Sequence, residues 1–255
     1  MTPMADADRS ALPEREEPSP TKTPRPARPY AAAAAVLVGA WIGFAVLAAV
    51  LAAHGMAPFG WEQHAERWAG GHRPGPARSA AAFLTSFGSA VVPYAAVLAA
   101  GLLTARRVPA GAHRLLVALA PLGWLATGQL LRALIMHATG RPRPPAEGWA
   151  VTASGFSFPS GHTFTSATAF GLLAWAVCRL PTARRGWAAA LLGLAALVGL
   201  SRVYLSVHWP LDVLGGWLLA AGWLALGALL ARRAPWWPHR GSDREHGIRP
   251  AARQP

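Results

Sequence analysis

The sequence predicts an all-α fold, a polytopic membrane helix bundle with six transmembrane helices. Three observations carry the prediction. The chain of 255 residues is 53% hydrophobic and only 14% charged, whereas soluble domains carry roughly 25% charged residues. Its apolar residues gather into six segments, at about 31 to 53, 80 to 104, 114 to 138, 163 to 180, 187 to 207 and 210 to 231. Most of these reach the ~20 residues needed to cross a ~30 Å hydrocarbon core. Between them the basic residues fall in short clusters, the pattern of an orientation signal.

Taken in order, residues 1 to 29 are rich in Pro, Arg, Glu, Thr and Ser, with little to bury, and are expected to form a disordered cytoplasmic arm. The first apolar run begins only after this arm, so no cleavable signal peptide is expected. Residues 30 to 232 form the six-span domain, and 233 to 255 a disordered basic C-terminal tail, with Trp236 and Trp237 as an interfacial anchor at its start. The loop between spans one and two, "GMAPFGWEQHAERWAGGHRPGP", mixes Phe59, Trp61 and Trp68 with polar residues and reads as an aromatic-anchored loop at the headgroup level. The fourth span is short, and its start can shift into the motif that precedes it. No internal repeat is visible.

The clusters set the sides. Lys22, Arg25 and Arg28 precede span one, Arg106, Arg107 and Arg114 separate two from three, Arg179, Arg184 and Arg185 separate four from five, and Arg232 and Arg233 follow six. The positive-inside rule puts all of them, and both termini, in the cytoplasm. Loops one-two, three-four and five-six then face outward, although Arg67, Arg73 and Arg78 in the first of these run against the rule.

A net charge of +13 raises nucleic acid as a partner, but no single basic stripe or arm exists to bind it. Acidic residues are scarce in the centre, where only Glu62, Glu66, Glu147 and Asp212 occur. The single Cys178 forms no internal disulfide or cysteine zinc site, and reads as a small buried hydrophobe.

Topology brings three clusters to the outer side: "GRPRPP" at 140 to 145, "PSGH" at 159 to 162, and "SRVYLSVHWPLD" at 201 to 212. Pro210 suits a helix start, which puts His208 just before that helix and Asp212 in its first turn. An Asp beside a His fixes its tautomer and leaves the other ring nitrogen free to attack; a capping Asp with an interfacial His would explain the same pair. At 160 to 162 a helix start offers backbone N–H groups to an anion, with Gly161 permitting close approach. Ser160 adds a hydroxyl donor, and His162 can act as a general acid. Arg143 and Arg202 offer guanidinium groups suited to phosphate oxygens. Interfacial snorkelling would account equally well for Arg141 and Arg143, but less well for Arg202, which lies inside an apolar span.

Together these residues resemble the type 2 phosphatidic acid phosphatase family, which includes lipid phosphatases and shares its site with vanadium haloperoxidases. Its motifs are Lys, six residues, Arg-Pro; then Pro-Ser-Gly-His; then Ser-Arg, five residues, His, three residues, Asp. The second is complete at Pro159 to His162, and the third at Ser201, Arg202, His208 and Asp212. The first departs: Arg143-Pro144 matches, but Met136 stands where the Lys belongs. Arg132, one turn deeper on the same helical face and ~6 Å further in, is the expected replacement.

The resemblance implies that His208 attacks phosphorus to form a phosphohistidine, Asp212 orients it, and His162 protonates the leaving group and then activates water. It further implies that Arg143, Ser160, Gly161 and Arg202, with Arg132, hold the phosphoryl oxygens. No cofactor is implied, and no metal: a two-metal phosphatase needs clustered carboxylates, which the outer loops lack. The expected function is metal-independent hydrolysis of a lipid phosphomonoester or diphosphate at the extracytoplasmic face of a bacterial plasma membrane. Candidate substrates are a polyprenyl diphosphate such as undecaprenyl diphosphate, phosphatidic acid or phosphatidylglycerophosphate. Other partners are the surrounding lipids, with no nucleic acid. A non-catalytic membrane anion-binding or transport protein is the alternative, favoured by Met136; a vanadate-dependent oxidant enzyme shares the residues but is normally soluble.

Overall fold

The computed structural model describes residues 28–89, 91–180, 185–234 and 237. The arm up to residue 27, with Lys22 and Arg25, lies outside the described residues, as do Arg184, Trp236 and the tail from 238. Among the described residues there is no strand. The helices are α1 (Arg28–Ala53), α2 (Gly60–Gly71), α3 (Gly75–Ser86), α4 (Val91–Ala105), α5 (Ala112–Thr139), α6 (Gly161–Val177), α7 (Arg185–Tyr204) and α8 (Pro210–Arg233). A single 3-10 turn, Ala146–Gly148, interrupts the long connection from α5 to α6.

Of the six expected spans, the structure accounts for four to five. Four helices, α1, α5, α7 and α8, are long and apolar enough to cross a bilayer, and α3 with α4 makes a fifth across a 44° bend. The second apolar run is therefore broken rather than continuous. At 17 residues, α6 is ~26 Å long, short for a 30 Å core. Its shortness has a local cause: the Ser157 and Ser160 amides are bonded to the carbonyls of Arg141 and Asp212 and Ser160 is extended, so the helix starts only at Gly161.

The core is small-to-large packing. Ala96 and Val97 of α4, Leu125 of α5, Ala169 and Phe170 of α6 and Ala195 of α7 form one buried cluster. Phe164 of α6 joins Leu219, Ala220 and Trp223 of α8 in another, where Trp223 stacks on Trp124 at 4.3 Å and donates its indole N–H to the Trp124 carbonyl. Helices α4 and α5 touch backbone to backbone at Gly101, where a Cβ would lie 1.9 Å from the Ala118 carbonyl oxygen. On the outside, Ile42, Val46, Phe83, Leu130, Leu134 and Leu197 are exposed, as suits surfaces whose solvent is lipid.

Three further expectations change. The loop between spans one and two is largely helical: α2 is a polar helix with Trp61 and Trp68 exposed and Glu62 fully buried. Two of its three discordant basic residues have structural work. Arg73 donates to the carbonyls of Gly148 and Tyr204 and to the Ser206 hydroxyl, and Arg78 to the Ala150 carbonyl. Cys178 is exposed, not buried, because α6 ends at Val177 and the residue sits at its C-cap, at the end of the bundle. At that end Arg107 donates to the Arg179 carbonyl, tying the ends of α4 and α6 together.

Candidate active site

Gly140 ends α5 in the left-handed conformation, φ +61°, its N–H bonded to the Met136 carbonyl. Glycine adopts this geometry without steric cost, and the chain leaves the helix across the end of the bundle. The segment is then pinned. Ser157 bonds the carbonyls of Arg141 and Pro142 through its amide and hydroxyl, and Trp209 donates its indole N–H to Pro142 at 3.0 Å. The Ser160 amide donates to the Asp212 carbonyl at 3.0 Å, which seats the "PSGH" turn against the start of α8. The three sequence clusters therefore meet.

Asp212 is fully buried in the first turn of α8. Its Oδ2 accepts from the Trp209 amide at 2.8 Å, capping the helix, and faces His208 Nδ1 at 3.3 Å. Nε2 of His208 lies 3.0 Å from Arg143 Nη1. Both contacts are satisfied together by one neutral tautomer, protonated at Nδ1, with the Nε2 lone pair directed at the guanidinium. Burial lowers the His208 pKa to about 4; the hydrogen bond and charge of Asp212 raise it, and Arg143 and Arg202 lower it further. At neutral pH the ring is therefore uncharged. Arg143 is fixed by the carbonyls of Ser154, Gly155 and Val207, and burial depresses its pKa, opposed by Asp212 and reinforced by Arg132.

Arg202 is buried and donates to Thr85 Oγ1 at 2.8 Å, while its Nε has no protein partner. Arg132 also has a buried Nε without a protein partner, and its Nη1 contacts the Met136 sulfur at 3.2 Å. Its guanidinium carbon lies 3.4 Å from the point where a Cβ on Gly161 would stand. From one turn below Met136, Arg132 thus reaches the helix start at Gly161. His162 feels the charges of Arg202, Arg143 and Arg132 and lies near His208 electrostatically. The Ser160 hydroxyl is buried and accepts from Thr163 at 3.0 Å, which leaves its own proton free to donate. Neighbouring hydroxyls serve the helix: Thr165 and Ser166 donate to the carbonyls of Gly161 and Thr163.

The structure brings all eight expected site residues around one point at the start of α6. It separates off Arg141, which snorkelling would have placed at the surface. Arg141 is fully buried between Asp212 and Glu62, 2.6 Å from each. Sequence reasoning overlooked Glu62 because nothing local marks a partner 79 residues distant; the one signal was a lone Glu in the first turn of an aromatic-rich helix. Beside Arg143 a cavity of about 430 Å³ opens between Pro58, Gln63, Glu66 and Arg67 on one side and Pro142, Arg143 and Trp209 on the other.

Chemically, the arrangement offers a neutral imidazole backed by a carboxylate, a second imidazole, and guanidinium and hydroxyl donors converging on a helix start. The geometry is that of an α-helical membrane bundle with histidine, arginine and hydroxyl side chains gathered at one end. The family model of the PAP2 superfamily matches residues 117–236, the span that holds all eight expected site residues.

Relatives agree. The chain is 34% identical to phosphatidylglycerophosphatase B of Bacillus subtilis over 135 residues, 51% of this chain and 63% of that protein. It is 44% identical to an undecaprenyl-diphosphatase of Sulfolobus acidocaldarius over 73 residues, 28% of this chain and 31% of that protein. The aligned segments thus span less than two thirds of these curated relatives. The crystal structure of a transmembrane PAP2-type phosphatidylglycerolphosphate phosphatase from Bacillus subtilis superposes with a TM-score of 0.66 at 26% identity, covering 78% of this chain and 97% of that one.

Proposed function

We propose that the protein is a metal-independent lipid phosphate phosphatase working through a phosphohistidine on His208. The observation that carries this reading is the His208 ring, held by Asp212 at Nδ1 and facing Arg143 at Nε2. In the first step Nε2 attacks phosphorus, the P–O bond to the lipid breaks, and the leaving oxygen takes a proton from His162. In the second, His162 removes a proton from water, the hydroxide forms the new P–O bond, and the P–N bond breaks, returning the lone pair to Nε2. Arg143, Arg202, Arg132, the Ser160 hydroxyl and the Gly161 amide stabilise charge on the phosphoryl oxygens. Neither buried carboxylate is available to a metal, since both are bonded to Arg141.

The names of the relatives support a membrane lipid substrate, either a phosphomonoester such as phosphatidylglycerophosphate or a diphosphate such as undecaprenyl diphosphate. The proposed architecture counts α6 as a sixth span, with the site facing outward and the arm of 1–29 and the tail of 233–255 in the cytoplasm. The exposed Trp61 and Trp68 of α2 suit the headgroup region on the site's side.

The test is phosphate release by purified protein in EDTA from phosphatidic acid, phosphatidylglycerophosphate and undecaprenyl diphosphate. Turnover on at least one is expected, with an acid-labile, base-stable phosphoenzyme absent from His208→Ala. Arg132→Ala is expected to lower kcat/KM by about 100-fold, the scale of losing one oxyanion donor. No turnover on any of the three, with no label, would sink the reading.

A further inference from the structure

We propose that Glu62 and Arg141 are positioning residues for the nucleophile, and that through them helix α2 holds Asp212 in register with His208. The inference deepens the phosphohistidine reading and rests on it.

The cluster is fully buried: Glu62, Arg141 and Asp212 all have 0% exposure. Burying three charges is costly unless each is paired with good geometry, and here the pairing is close. Arg141 spends its whole fork inward, Nη1 on Asp212 Oδ1 and Nη2 on Glu62 Oε2, both at 2.6 Å, with Nε on the Met56 carbonyl at 3.3 Å. All three of its nitrogens are engaged by protein acceptors, so its role is indirect.

The partition of the carboxylate oxygens gives the cluster its meaning. Asp212 gives Oδ1 to Arg141 and Oδ2 to His208. An arginine paired with Asp212 alone would neutralise the charge that must support the imidazole as it becomes cationic. Glu62 shares that arginine, so one positive and two negative charges leave the cluster at net −1. Asp212 thereby stays a full-strength acceptor.

Glu62 also acts mechanically. Its Oε1 accepts from the Leu211 amide at 3.0 Å, in the same helical turn as Asp212, while Oε2 accepts from Phe59 at 3.0 Å and caps α2 itself. One carboxylate therefore ties the first turn of α8 to a helix whose Trp61 and Trp68 are exposed. Seating of α2 and alignment of the nucleophile are a single event.

The test uses full-length protein with two readouts: turnover of phosphatidic acid and undecaprenyl diphosphate, and binding of orthovanadate, which adopts the five-coordinate shape of a phosphoryl group in transfer. Glu62→Gln, which keeps the shape and removes the charge, is expected to lower kcat 10- to 100-fold with KM within twofold, and to weaken vanadate by at least 10-fold. Because Glu62 acts through Asp212, Glu62→Gln combined with Asp212→Asn should lose no more than Asp212→Asn alone, whereas a merely structural role would give additive losses. If Glu62→Gln fails to fold, Glu62→Gln with Arg141→Met removes both charges together and is expected to show the same loss of kcat and of vanadate binding. Unchanged kcat and vanadate affinity in a folded variant, or additive losses, overturn the inference. A wild type that binds vanadate through His208 but never turns over overturns the phosphatase reading instead, and the vanadate series then decides the positioning role by itself.

Discussion

Asp212 divides its two oxygens between a cation and an imidazole, and this division bears on how the proposed nucleophile responds to pH. The kcat/KM profile reports the free enzyme, in which His208 is held near a pKa of about 4 by burial. Above that value the ring is neutral and competent; below it the proton occupies the attacking lone pair. The acid limb of His208 is therefore expected near pH 4, not 6.5, once the titration of the substrate phosphate is subtracted. Asp212 raises the His208 pKa, so Asp212→Asn should move that limb to still lower pH while cutting kcat by about 100-fold or more. A limb that moves upward would refute the assignment. The His208–Asp212 pair was legible in the sequence, because fixed spacing around Pro210 implies a helix start. The Arg141–Glu62 pair was not, since ion pairs closed by tertiary folding leave no periodic trace.

At the scale of elements, hydropathy found the apolar runs because it reports the solvent around a helix, and lipid imposes one composition along the whole length. The same measure is blind to what breaks a run. It does not register the 44° bend between α3 and α4, and the late start of α6 goes with a contact to another segment, the Ser160 bond to the Asp212 carbonyl. Close helix contact is partly legible through glycine, although Gly101 and Gly123 look alike in the sequence and differ in the fold. A Cβ at Gly101 would meet the Ala118 carbonyl oxygen at 1.9 Å, whereas one at Gly123 meets nothing within 4 Å. Gly101→Val is expected to cost more than about 3 kcal/mol, above the usual range for overpacking, because backbone must move. Gly123→Val should stay within about 1 kcal/mol. Thermal unfolding in detergent, followed by tryptophan fluorescence, distinguishes them; equal melting temperatures would contradict the contact.

The whole molecule carries the proposed site at one end, and the far end of α6 at the other. Cys178 is the only cysteine in the chain and is exposed at the end opposite the site, so it reports orientation. In intact cells a membrane-impermeant maleimide should leave Cys178 unlabelled until the membrane is opened. Glu147→Cys in a Cys178→Ser background, on the exposed turn after α5, should label at once. The reverse pattern would invert the proposed topology. Arg73 adds a consequence for biogenesis. Its acceptors, Gly148, Tyr204 and Ser206, are synthesised long after it, so in the proposed topology Arg73 would reach the translocon without them, beside Arg67 and Arg78 on the segment to be exported. In that topology the three oppose Lys22, Arg25 and Arg28 before the first span and Arg106, Arg107 and Arg114 after the second, three against six. Insertion of the first hairpin would then run against the charges of its own loop, and the later helices, by capturing Arg73, would favour the inserted form.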